Sequence, residues 1–357
     1  MKNRKWMAGY FFIVSVAMIY MILLVYEVDP FMHYHAPRKD YFYRLDNERS
    51  QNNGIIRHFK YEGLITGSSM TENFKTSEAE ELFGGRFIKV PFAGAPYREM
   101  GENIDLACKE NKDLKIVIGC LDAFRFLDDK DTMRTDLGTY PTYLYDKNIF
   151  NDVSYIFNKD VLFKRIAPMR EERAEGRAGG ITGFDEYANW MPGQTFGKAE
   201  ALEKREGKRF KRKAKEQSLT KEEVKGLKDN LQQNIVRVAK KHPDVTFYFY
   251  ISPYSAVWWG KFNETGKVKR KVELERILIE ELLKVKNIKL FSFNDRFDMT
   301  TDLNNYKDEY HYGDWINSEI LWYMKNNKGL LTEGNYEAYL KNIYDFYRNY
   351  DYNSLFE

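Results

Sequence analysis

Cysteine is nearly absent. Two residues in 357, Cys108 and Cys120, are too few and too scattered for a zinc or disulfide framework. A single Cys108–Cys120 bridge is the one pairing open, and Cys120 ends an apolar run that reads as a buried strand. Charge of one sign is also missing: 56 Lys+Arg stand against 53 Asp+Glu, for a formal net charge of +3. That balance gives no electrostatic signal for nucleic acid. No internal repeat is visible, and no motif asks for a cofactor. Histidine is scarce, and the pair His33 and His35, without a neighbouring carboxylate pair, is a poor metal site. What the chain does have is apolar mass. At 43% hydrophobic and 16% aromatic it carries enough for a large core, which excludes a disordered chain. The length suits about two domains, or one α/β domain with insertions.

Only one long hydrophobic run occurs. Met7 to Tyr26 (MAGYFFIVSVAMIYMILLVY) has no charge and follows Lys2, Arg4 and Lys5. About twenty apolar residues cross a bilayer as a helix. The preceding cations favour a cytoplasmic N-terminus. A cleaved signal peptide has a shorter apolar core ending in small residues, whereas this run ends Leu-Leu-Val-Tyr-Glu. The expectation is a single-pass protein of the cell membrane with its main domain outside. The plan is then residues 1–26 as cytoplasmic tip and anchor and 27–60 as a juxtamembrane segment. An α/β domain over 61–330 carries an insertion at 123–220, and 331–357 form an aromatic C-terminal helix or tail.

Short runs rich in β-branched and aromatic residues predict strands at Gly63–Thr66, Phe87–Pro91, Leu114–Gly119, Val245–Ser252 and Ile288–Phe293. Helical patterns fall between them, at about Thr76–Phe83, Tyr97–Glu110, Lys221–Lys241, Val268–Lys286 and Asp314–Asn327. Alternation of this kind predicts a parallel five-stranded sheet in a three-layer α/β/α fold. Such sheets place chemistry at the carboxyl ends of their strands. The insertion holds a Gly-rich stretch, a Trp-Met-Pro turn and a basic stretch, Lys198–Lys215. The basic stretch reads as a solvated helix or mobile loop, or as a patch for anionic polymer or lipid headgroups.

Two short motifs carry chemistry. Gly67-Ser68-Ser69 follows the first strand, and Asp308-x-x-His311 precedes the last predicted helix. A serine hydroxyl is a weak nucleophile until a base takes its proton. An aspartate three residues before a histidine can fix the imidazole tautomer and leave the other nitrogen free as that base. Each motif alone is unspecific; on a fold that brings both to one edge they supply nucleophile, base and orienter. Asp295, Asp298 and Asp302 offer a rival, paired carboxylates for glycoside chemistry. A carboxylate cluster in a loop is more commonly solvated.

In their order and placement these blocks resemble the SGNH/GDSL hydrolases, whose fold is flavodoxin-like. Gly67-Ser68-Ser69 is similar to the nucleophile block, with Ser69 as the nucleophile. Phe92-Ala93-Gly94 is similar to the block whose glycine N–H serves the oxyanion hole, and Asp308-x-x-His311 to the final block. Gly119-Cys120-Leu121-Asp122 stands where the family has Gly-x-Asn-Asp, so Leu121 replaces an oxyanion donor worth about 3–4 kcal/mol. Asn73 and Tyr97 are nearby in sequence, and a structural role suits each better than that of replacement donor. The Gly-Ser-Ser block, single anchor and late Asp-x-x-His further resemble the teichoic-acid D-alanylation proteins of the bacterial cell envelope. The resemblance implies an extracytoplasmic serine esterase or O-acyltransferase acting on an acylated surface glycan or polymer. Ser69, Asp308 and His311 would form its triad, and the N–H groups of Ser69 and Gly94 its oxyanion hole. It implies no metal and no cofactor, and a membrane-bound O-acyltransferase as companion. The other expectation is a catalytically weakened scaffold of the same fold partnering such an enzyme.

Overall fold

The computed structural model of the chain describes residues 2–211 and 215–357. Met1 and residues 212–214 of the basic stretch lie outside the described residues. The chain divides into two compact units, residues 1–59 with 138–183, and residues 60–137 with 184–357.

The second unit is built on five strands: β1 (Gly63–Thr66), β2 (Phe87–Lys89), β3 (Ile116–Leu121), β4 (Thr246–Ile251) and β5 (Ile288–Ser292). Their order is β2-β1-β3-β4-β5, and every neighbouring pair is parallel. Leu64 lies opposite both Ile88 and Val117, and Val117 opposite Phe247. Every residue of β1 and β2 is buried, which is why these strands read as continuous apolar runs and not as alternation. All five begin and end within two residues of the predicted positions. The chain leaves β1 outward to β2, then returns past β1 to β3. That reversal opens a crevice at the carboxyl ends of these strands.

Helix Thr76–Phe83 packs against Asp314–Lys325, while Tyr97–Glu110 packs against residues 232–241. The predicted helix over 221–241 is continuous but widens at Gln232–Val236. Its start is a capping box in which the Glu223 N–H donates to Thr220 Oγ1 and the Thr220 N–H to Glu223 Oε2. Within 331–357 the expected C-terminal helix forms and packs on the domain. Helix Tyr336–Asn349 buries Tyr339, Leu340, Ile343 and Tyr347. Tyr347 stacks on Trp259 at 4.1 Å, an aromatic pairing worth about 0.5–1.5 kcal/mol beyond area burial. Tyr339 donates to Glu275 Oε2 at 2.8 Å, and Glu275 pairs with buried Lys271 at 3.3 Å.

The described part of the basic stretch is anchored to this unit through Arg205 and Phe210. Arg205 donates to both oxygens of Glu264 at 2.7 and 3.0 Å and lies over the Phe210 ring. Phe210 is buried against Tyr352 and Phe356. Asp298 is paired with Arg296, and Asp302 caps Asn304 at 3.0 Å. Each is engaged by a residue two positions away in sequence.

The first unit corrects the single insertion expected over 123–220. Residues 138–183 fold with 1–59, and 123–137 and 184–220 with the second unit. Helix Lys2–Val28 opens the unit, and an 18-residue window within its Arg4–Val28 stretch has a mean hydropathy of 2.4. That is long and apolar enough to cross a membrane, a property membrane spans and signal sequences share. Asp29 follows with φ +43 and no exposure. Its carboxylate collects the N–H groups of His33, Tyr34 and His35 and the Tyr155 hydroxyl, all at 2.7–3.0 Å. Burial raises its carboxyl pKa against the pull of those donors. The two histidines serve this knot: His33 Nε2 meets Asp152 Oδ1 at 3.2 Å, and His35 meets the carbonyls of Tyr26 and Ala36. Helix Glu48–His58 was hidden in the sequence because its buried face is polar. Gln51, for example, donates to the carbonyls of Pro30 and Arg44.

Candidate active site

The turn after β1 sets the geometry. Gly67 has φ +154, and a Cβ there would lie 2.7 Å from Cys120 Sγ and 2.6 Å from the Thr71 methyl. Only glycine permits so close an approach. Ser69–Thr71 then form a single 3₁₀ turn, with the Thr71 N–H and hydroxyl both donating to Ser68 O at 2.9 Å. From Gly63 to Phe74, Ser69 is the only residue that is not buried. Ser68 is turned inward and its hydroxyl donates to Asp122 Oδ2 at 2.5 Å. Asp122 also accepts from Ser252 at 3.2 Å and from the Tyr254 hydroxyl. The adjacent serines thus divide the work, one toward the sheet and one toward the crevice.

Asp308 and His311 sit on a narrow loop closed by a Tyr306–Tyr312 bridge and by the Lys307 N–H donating to His311 O at 3.0 Å. Asp308 Oδ1 accepts the N–H groups of Tyr310 and His311 at 2.7 and 2.8 Å, leaving Oδ2 for His311 Nδ1 at 2.8 Å. Burial pushes the Asp308 carboxyl up. The hydrogen bond and charge of His311, with the two backbone donors, outweigh burial and hold it at about 2. An ionised Asp308 keeps a proton on Nδ1, so Nε2 offers its lone pair. Nε2 lies 2.8 Å from Ser69 Oγ. The structure therefore brings together Ser69, His311 and Asp308, which the sequence separates by 242 residues at the Ser–His contact.

The junction is fastened from behind. The Met70 carbonyl accepts from the Tyr250 hydroxyl of β4 at 3.2 Å and from Asn317 Nδ2 of the helix after the His311 loop at 3.0 Å. The Phe92 N–H donates to Gly67 O at 2.8 Å, which places the loop after β2 beside the serine turn. Gly94 in that loop has φ +61, a left-handed conformation suited to glycine. A Cβ on it would meet Arg134 Nη1 at 2.8 Å and Arg125 Nη2 at 3.8 Å. Arg134 Nη1 donates to the Ala93 carbonyl.

Leu121 is fully buried at the end of β3. It supplies no side-chain donor. The other residues weighed for that role serve structure. Tyr97 is buried and stacks on Phe126 at 3.7 Å, and Asn73 Oδ1 accepts the Trp190 N–H at 3.2 Å. Two cations near Gly94, Arg125 and Arg134, escaped the sequence reading, as did Trp190. The Trp190 indole donates to Ser69 O at 3.2 Å and its ring meets the His311 ring edge-on at 5.5 Å. Lys307 lies over the Trp190 ring at 4.0 Å. The Trp-Met-Pro turn is the one sequence signal for Trp190, and Arg125 and Arg134 have none. Both cysteines are free and buried, and no group of metal-ligating side chains occurs among the described residues.

No family model matches the chain, and no curated protein does. Among solved structures, it is similar to a Streptococcus pneumonia protein provisionally described as a platelet activating factor. The identity is 11% and the TM-score 0.39, over 78% of this chain and 90% of that one. A likeness of that degree carries no argument about activity.

Proposed function

We propose that this chain is a membrane-anchored serine esterase or O-acyltransferase of the SGNH type, with a three-layer α/β/α domain outside the membrane. The observation that carries the reading is the 2.8 Å contact between Ser69 Oγ and His311 Nε2, backed by the 2.8 Å contact from Nδ1 to Asp308. His311 takes the Ser69 proton as Oγ attacks an ester carbonyl carbon. The N–H groups of Ser69 and Gly94 receive the oxyanion. As the intermediate collapses the carbon–alkoxide bond breaks, the leaving alkoxide takes the proton from His311, and the acyl group stays on Ser69. Water or a glycan hydroxyl then gives its proton to His311 and attacks the acyl carbon; the bond to Ser69 Oγ breaks, the acid or new ester leaves, and His311 returns the proton to Ser69. The first acceptor makes an esterase, the second an O-acyltransferase. The substrate in this reading is an acylated surface polymer, and a membrane-bound O-acyltransferase is the companion.

A second reading, a weakened scaffold, has one observation in its favour: Leu121 stands buried where the family has its oxyanion asparagine. A fluorophosphonate probe separates the two. The enzyme reading expects covalent labelling of the full chain, lost in Ser69→Ala and His311→Ala. An unlabelled wild-type chain that also fails to cleave aryl acetates would leave the scaffold.

A further inference from the structure

We infer that the first unit makes a second contact with the membrane, through residues 149–163, at the headgroup–acyl boundary beside the N-terminal helix. The inference rests on the proposed reading of that helix as a span.

Four apolar side chains in this segment stand in the open: Ile149 at 72% exposure, Phe150 at 84%, Val153 at 51% and Phe163 at 73%. Single exposed apolar residues are ordinary on a protein surface. Four within fifteen residues of one unit call for a covering medium. The helix says where that medium begins. Residues 153–156 and 161–166 pack on helix Lys2–Val28, and Val25 and Val28 on it are fully buried. Arg170, just past the segment, donates to the Tyr20 hydroxyl at 3.2 Å. Tyr20 lies six residues inside the end of the uncharged run at Tyr26, which is about 9 Å at 1.5 Å per residue. Arg170, seven residues past the segment, is held at that level, and residues 153–156 and 161–166 touch the same helix, so the segment lies beside the end of the helix that a bilayer would meet. The length agrees. Arg4–Val28 makes 25 residues, about 37 Å of helix against a hydrocarbon core of about 30 Å, so the roughly 7 Å of excess is shared between the headgroup layers at its two ends.

The chemistry suits lipid. Aromatic and aliphatic side chains lie in the boundary while Lys and Arg reach the headgroups. Here Lys164 is an exposed neighbour of Phe163, and Arg170 is exposed beside the helix. Ile19, Ile22 and Leu23 of the helix are exposed too. They need the same apolar surroundings as Phe163, so one medium, the bilayer, covers both.

The test uses the full chain in nanodiscs of phosphatidylcholine and phosphatidylglycerol. Cys108 and Cys120 are buried, so an environment-sensitive thiol fluorophore reports the introduced site in Ile13→Cys, Phe150→Cys, Phe163→Cys and Lys225→Cys. Nitroxide lipids labelled near the headgroup or at mid-chain are the quenchers. The expected result is that Ile13→Cys is quenched most by the mid-chain label. Phe150→Cys and Phe163→Cys should be quenched by the shallow label at least about threefold more than Lys225→Cys, matching burial of about 5–10 Å into the boundary. If Ile13→Cys is quenched while positions 150 and 163 behave like 225, the span stands and the second contact falls. An unquenched Ile13→Cys overturns the span itself and this inference with it. Shielding of 150 and 163 only after a membrane protein fraction is added overturns lipid as the occupant.

Discussion

The Ser68 hydroxyl donates to Asp122 Oδ2 at 2.5 Å, while Ser69 beside it faces His311. Two adjacent serines are thereby distinguished by partner and not by type. Ser68 ties the end of β1 to the end of β3, where Asp122 is buried among Ser68, Ser252 and Tyr254. Ser68→Ala removes one of three donors from a buried carboxylate, at a cost of about 1–3 kcal/mol. Thermal melting should fall accordingly while probe labelling of Ser69 persists. Loss of labelling with an unchanged melt would assign Ser68 to the chemistry instead.

Ser69→Ala and His311→Ala should each lower acyl-ester turnover by about 10³-fold or more, and the double variant should be little worse than either. Additive losses would mean that the two side chains do not act as a unit.

Asp308 gives a pH prediction with a definite sign. Its folded pKa of about 2 lies below the ordinary 3.8. Its contribution to stability is therefore present above the ordinary value and is lost as pH falls from about 4 through about 2. Acid denaturation followed by circular dichroism should show a shallower loss in that window for Asp308→Asn than for wild type. Asp308 also remains ionised at neutral pH, so it does not account for a fall in activity above pH 4. Parallel acid curves for the two proteins would remove Asp308 from this linkage.

Gly94→Ala places a Cβ 2.8 Å from Arg134 Nη1 at a φ of +61. Left-handed backbone costs a residue other than glycine about 1–2 kcal/mol, and Arg134 must also shift from the Ala93 carbonyl. Turnover should drop much more than the melting temperature. Unaltered turnover in the variant would put the oxyanion hole elsewhere.

Trp190→Phe keeps a ring beside His311 but deletes the donor to Ser69 O. A hydrogen bond of about 1 kcal/mol predicts a roughly fivefold loss of turnover if it steadies the serine turn. Steady-state kinetics on an aryl ester would detect it, and a rate equal to wild type would reduce Trp190 to packing.

Much of this molecule is local in origin. GLIT, FIK, IVIGCL, TFYFYI and IKLFS are strands because short apolar runs between turn formers suit a sheet buried on both faces. The N-terminal helix is written in its uncharged run. Asp308-x-x-His311 can form its pair within one small loop, and each of these signals survives in a short window of sequence. Helix Glu48–His58 has no apolar periodicity to betray it, because hydrogen bonds to distant carbonyls bury its polar face. Nothing near Trp190 points to Ser69, and nothing near 138–183 points to residues 1–59. The meeting of Ser69 with His311 belongs to the same class. It depends on β1 lying beside β3, on β4 and helix Asp314–Lys325 both donating to Met70 O, and on the bridge that closes the His311 loop. Contacts of that kind join surfaces that exist only after the chain has packed, and so the tertiary structure alone decided them.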